Sequence, residues 1–210
     1  TIFNANGTDN TTAVKDDDRA LAVTSPTVNE ASPYAVFTVT GTAGQTVSLG
    51  LTAGTATGGG TDFGSATATT NLQYSIDGGA NWLDYSTTGA FALPAGGSVL
   101  VRTPINNDAT PDNNEAFTLT ATPAGGQAAT GTGTIKDDGT GDIYKADGTT
   151  DTSAVKNDDR VVAVTSPTVN EASPYAVFTV TGTAGQTVSL GLTAGTATGG
   201  GTDFGSATAT

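Results

Sequence analysis

The sequence predicts an all-β protein, an antiparallel β-sandwich repeated in tandem, on three observations. Apolar residues come in short alternating runs, the pattern of half-buried strands. Gly, Pro, Asn and Asp punctuate those runs, and no segment carries helical periodicity. Residues 22–69 recur without a change at 163–210, an offset of 141, and 1–21 correspond more loosely to 142–162. A period that long is a domain plus a linker, not one turn of a solenoid.

Within one period, strands are expected near 20–29, 34–40, 46–52, 70–76, 81–85, 89–93, 98–105, 115–122 and 128–136. The stretch "TGTAGQ" turns the chain after the second strand, and "IDGGAN" joins the fourth to the fifth. One "PAGG" precedes the seventh strand, and another joins the last two. The expected organisation is a linker from a preceding repeat over 1–18, a complete sandwich over 19–138 and an acidic linker over 139–159. Residues 160–210 are expected to be the N-terminal part of a second, truncated sandwich, finished by continuing chain or by strands of a neighbouring molecule.

Composition narrows the chemistry. There are 7 basic against 20 acidic residues, a formal net charge of −13, which excludes nucleic acid as a partner and favours cations. No run approaches the roughly 18 apolar residues that span a bilayer, so no membrane insertion is expected in this segment. No secretion signal opens it, as expected of a piece of a longer or processed chain. His, Cys and Met are all absent, which removes imidazole and thiol catalysis, disulfides and the soft ligands that zinc, copper and iron prefer. Oxygen ligands remain, and a Cys- and Met-free acidic chain fits an extracellular setting.

The acids are not scattered. Between Ile105 and Phe117 the chain reads "INNDATPDNNEAF", with seven acid or amide side chains between two apolar residues. In an antiparallel sandwich the chain changes ends at every strand. Counting reversals puts Glu30, Asp62, the loop bearing Asp108 and Asp112, Glu115, and the pair Asp137 and Asp138 at one pole; Asp16, Asp17, Asp18 and Arg19 fall at the other. Like charges about 5 Å apart at an effective dielectric near 20 cost roughly 3 kcal/mol per pair. A hard divalent cation reverses that sign, and calcium, which accepts six to eight oxygens in irregular geometry, suits such loops better than magnesium.

The blocks "VNEASPYAVFTVTG", "GTATGGGTDF", "INNDATPDNNEAF" and "GTIKDDG", in this order, resemble the Calx-β domain, an Ig-like calcium-binding sandwich of sodium/calcium exchangers and large bacterial surface proteins. The resemblance covers about 20–139, and 161–210 in the second copy. It implies calcium ligands at Glu30, Asp62, Asn107, Asp108, Asp112, Glu115, Asp137 and Asp138, with the carbonyl of Thr110 as an extra one. Asn107 stands where the family prefers Asp, and Gly139 ends the Asp run one residue early, which implies fewer or weaker ions. Tandem copies joined by "GTGDIYKADGTTDTSAVKNDDR" further resemble the extender repeats of giant RTX-type bacterial adhesins, in which calcium stiffens a long chain.

Two motifs point elsewhere. "SIDGGANW" at 75–82 fits the Asp-box of sialidases, but a single box is a hairpin turn and not a propeller. "GGGTDF" at 58–63 fits one step of an RTX β-roll, which works only in tandem. Carboxylates on exposed loops offer neither the cleft nor the raised pKa of a glycosidase pair, so no enzyme is expected. The expected function is a calcium-stabilised extender segment of a long secreted or surface-anchored bacterial adhesin or extracellular fibre, partnered by neighbouring repeats or neighbouring chains. The alternatives are a self-assembling filament and a glycan-binding module using Trp82, Tyr74 and Tyr85.

Overall fold

The computed structural model describes residues 1–13, 15–64, 71–85 and 89–205. It divides into two compact units, Thr1–Val161 and Val162–Thr210. The described residues contain strands, bridges and turns and no helix, so the protein is all-β.

Unit one is a sandwich of two five-stranded sheets. Its strands are β1 (Ala22–Val23), β2 (Thr27–Asn29), β3 (Tyr34–Thr40), β4 (Thr46–Ala53), β5 (Gln73–Ser75), β6 (Leu83–Asp84), β7 (Phe91–Ala92), β8 (Ser98–Pro104), β9 (Glu115–Pro123) and β10 (Ala129–Lys136). One sheet runs β1-β3-β8-β5-β6 and the other β2-β10-β9-β4-β7. Each expected strand has its counterpart, although the expected start of the fourth, Thr70, lies outside the described residues.

The first expected strand, 20–29, is broken in two. Pro26 has no N–H to donate, and the chain changes sheets there. β1 pairs antiparallel with β3, whereas β2 pairs parallel with β10, Val28 opposite Ile135. The other pairings between the described strands of the unit are antiparallel.

Alternation puts one face of each long strand inside. Phe37, Val39, Val47, Leu49, Val99, Val101, Phe117, Leu119 and Ile135 form the core, all at most 6% exposed. Phe63, next to Asp62, stacks on Phe117 with centroids 4.2 Å apart. Two loops that carry acids are thereby anchored in the core.

Residues 139–161, read from the sequence as mostly linker, are held against this sandwich. Asp142 bridges Val28, and the buried Asn29 side chain donates to the carbonyls of Thr140 at 2.9 Å and Asn157 at 3.1 Å. A small hairpin pairs Tyr144 with Thr150. Its glycine, Gly148, has φ +81°, and its Cα lies so close to the indole that a Cβ would stand 3.2 Å from Trp82. The Arg102 guanidinium lies 4.1 Å from the Tyr34 ring centroid and 4.0 Å from that of Trp82, and its Nη1 donates to Ala146 O at 2.6 Å.

The single Asp-box is a hairpin turn. Asp77 accepts from the Ser75 hydroxyl and from both the backbone and the side chain of Asn81, which hold its carboxyl down at about 2. Trp82 is packed as described, and Tyr85, 2% exposed, donates its hydroxyl to Gly89 O inside the core. Tyr74 stacks on Phe91. All three aromatics are engaged in packing contacts.

Unit two contains β11 (Ala163–Val164) and β12 (Val180–Thr181), an antiparallel pair matching β1 and β3. Phe178, the counterpart of Phe37, is 49% exposed, where Phe37 is 1% exposed. The strands that cover Phe37 come from 98–136, and no residues of 163–210 correspond to them.

Candidate metal centre

Strand parity decides what meets at one end of unit one. β3 and β9 start there, β10 finishes there, and the loops after β4 and β8 turn there. Six carboxylates from five segments gather at this pole in two groups.

Glu30, Asp137 and Asp159 form the first. Each offers a carboxylate oxygen within 4.8 Å of the other two. Glu30 follows β2 and is pinned by its N–H to Lys136 O at 2.8 Å, and its Oε1 accepts the Asp108 N–H at 3.0 Å. Asp137 follows β10 and is 1% exposed. Its Oδ1 accepts the Asp159 N–H at 3.2 Å, whereas its Oδ2 is buried with no hydrogen-bond partner. A buried carboxylate oxygen without a donor is expensive unless something positive faces it.

Asp62, Asp112 and Glu115 form the second group, with the same 4.8 Å limit. Asp62 Oδ2 accepts the Thr57 N–H at 2.6 Å, which closes the loop after β4. Asn114 turns the chain into β9 at φ 71°, in the left-handed region that Asn tolerates better than most residues, and so aims Glu115 at the pole.

The electrostatics match this crowding and correct the expectation that acids of this pole are exposed and keep ordinary pKa values, because the folded loops bury Glu30 and Asp137. Burial first, then Asp137, Asp108 and Asp112, push Glu30 up to about 7, against the opposing Asp108 N–H. Burial, a hydrogen bond shared with Asp62 and the charges of Asp62, Asp112 and Glu30 push Glu115 up to about 7. Asp112 and Asp137 are raised as well, burial again leading. Cationic side chains of this end pair with other acids, Lys136 with Asp138 at 3.9 Å and Arg160 with Asp158 at 2.7 Å.

The remaining expected ligands lie at the same pole in other roles. Asp108 Oδ1 accepts the Thr110 N–H at 2.6 Å, and Thr110 itself is exposed. Asn107 Oδ1 accepts from the Asn157 amide. Asp138 stands outside both groups: burial is outweighed by hydrogen bonds from Thr140 and Asn113, which hold it below its usual range. The sequence reading placed Asp159 at the end of the acidic linker and gave it no part in the site, although "KDDDR" at 15–19 and "KNDDR" at 156–160 mark a recurring position within this chain.

No family model matches the chain, and no curated protein is similar to it at a significant level. Solved structures with a comparable course include CBD12 from CALX1.2 (TM-score 0.39, 19% identity, covering 56% of this chain and 45% of that one). An apo-form Calx CBD1 domain follows (0.36, 18%, 56% of this chain and 98% of that one), then the E. coli chaperone DraB (0.34, 12%, 58% and 55%). The chain therefore spans less than half of the first of these. At such similarity the fold assignment rests on the strands and their register.

Proposed function

We propose that this pole is a calcium site and that the chain is a calcium-stabilised structural module, a binding domain and not an enzyme. The observation that carries the reading is Asp137 Oδ2, buried and without a hydrogen-bond partner in a side chain that groups with Glu30 and Asp159. Glu30, Asp137 and Asp159 would hold one ion, and Asp62, Asp112 and Glu115 another. The donors are all hard oxygens on loops, the set that calcium accepts and that metals preferring nitrogen or sulfur do not. A bound ion supplies positive charge where the carboxylates now repel one another.

The tandem repeat and the packing of 139–161 favour a mechanical role, an extender segment of a long extracellular bacterial adhesin or fibre. A cation at the pole would hold residues that open one repeat against the end of the one before, so the chain would stiffen when loaded. Titration calorimetry of the 210-residue chain should give saturable calcium binding that excess magnesium does not reproduce. Heat changes no larger than dilution at millimolar calcium, the weak end of the range for extracellular modules, would overturn the reading.

A further inference from the structure

The chain carries the same docking segment twice, with one informative difference. Residues 15–19 read "KDDDR" and 156–160 read "KNDDR". Both form the same clip: Arg19 Nε donates to Asp17 Oδ1 at 2.8 Å and Nη2 to Oδ2 at 2.6 Å, and Arg160 does so to Asp158 at 2.8 and 2.7 Å. The hairpins before them match as well, Phe3 bridging Asp9 as Tyr144 bridges Thr150.

The second segment is seated in the pole. Asn157 N donates to Asn29 Oδ1 at 2.7 Å, its carbonyl accepts the Gly139 N–H at 2.9 Å, and Arg160 Nη2 donates to Asp138 O at 3.0 Å. In the first segment Asp16, Asp18 and Arg19 are exposed. The clip forms in both segments. What differs between them is the side chain at 157, which is Asn there and Asp at the matching position 16.

That side chain has a specific task. Asn157 Nδ2 donates toward Glu30 Oε2 at 3.3 Å, Asp159 Oδ2 at 3.3 Å and Asn107 Oδ1. Three oxygens from three segments converge on one amide nitrogen, and two of them belong to Glu30 and Asp159, which group with Asp137. A carboxylate in its place would bring another acceptor, no proton and one more negative charge, which a divalent cation would offset while bridging the group.

We propose that residue 157 sets the cation demand of the joint between repeats. An Asn there fills one cation position with its own amide, and an Asp, as in the 15–19 segment, recruits one further hard divalent cation, held by the new carboxylate with Glu30, Asp159 and the Asn107 carbonyl oxygen. Successive joints of one chain would then differ in the calcium they need. This deepens the reading of the pole as a calcium site and rests on it.

The test is Asn157→Asp in the 210-residue chain, with calcium counted by native mass spectrometry and melting followed in EGTA and in calcium. The variant should bind one more calcium per chain than the parent, melt lower in EGTA and recover in calcium. Asn157→Ser, which removes the amide without adding charge, should keep the parent's count. Equal counts in parent and Asp variant, an extra ion in the Ser variant, or an Asp variant that stays unfolded even in calcium would each overturn the inference. A parent with ions and a variant with no more sinks this inference alone. A parent with none and a variant with one sinks the reading of the wild-type pole and leaves residue 157 its role; none in either sinks both.

Discussion

The Asp159 N–H donates to Asp137 Oδ1 at 3.2 Å, so the end of the 139–161 segment is tied to the carboxylate that follows the last strand of the sandwich. The other oxygen of Asp137 is left without a donor. Structural continuity and electrostatic strain therefore meet in one side chain.

Without calcium the protein should lose stability as pH rises from about 4.5 to about 7. Glu30 and Glu115 have folded-state values near 7 against an ordinary 4.5, so in that window the folded state holds more protons than the unfolded one. Stability then falls with rising pH and levels off above the folded values. Asp137, Asp108 and Asp112 face Glu30, and Asp62 and Asp112 face Glu115, all of one sign. Acids held low by hydrogen bonds, such as Asp77 and Asp158, act in the opposite sense below about pH 4 and leave this window alone. Melting temperatures in EGTA across pH 4.5–8 check the slope, and a rise with pH contradicts it.

Asp137→Asn should separate binding from folding. It removes one charge from the buried group and supplies an amide that can donate to Glu30 or Asp159, so the calcium-free form should melt a few degrees higher, about 2–4 °C for each 1 kcal/mol gained. The same change should abolish the share of the calcium response that comes from the group of Glu30, Asp137 and Asp159. A variant less stable than the parent in EGTA would make Asp137 a structural hydrogen-bond acceptor instead.

Much of this pole was legible in the sequence because strand parity is arithmetic: each short apolar run reverses the chain, and Glu30, Asp62, Asp112, Glu115 and Asp137 arrive at the same end. The turn positions were legible for the same reason. Asp159 was not, because its placement depends on how 139–161 folds back, and that is fixed by tertiary contacts to Asn29 and Arg102 that no local pattern announces. Nor was the change of sheet at Pro26 anticipated. An alternating run with a proline reads as one interrupted strand until its two halves find different partners.

Arg102→Ala should detach the hairpin around Gly148. The guanidinium lies against Tyr34 and Trp82, donates from Nε to Gln73 Oε1 at 2.9 Å and reaches Ala146 O. Losing a desolvated stacked cation and its hydrogen bonds should cost about 3 kcal/mol. Amide exchange of Lys145 and Gly148, which pair within that hairpin, should speed up well before the core strands do. Unchanged protection at both sites would mean that the hairpin holds itself in place.

The measurement that bears most directly on the central claim is the melting temperature of the 210-residue chain in EGTA and in calcium at neutral pH. Ions that bind only the folded pole add about 2.7 kcal/mol per site at a hundredfold excess over the dissociation constant, so two filled groups should raise the transition of unit one by many degrees. Magnesium at the same concentration should raise it little. An identical transition in EGTA and in about 10 mM calcium, well above the weak end of the range for extracellular calcium modules, would contradict the account.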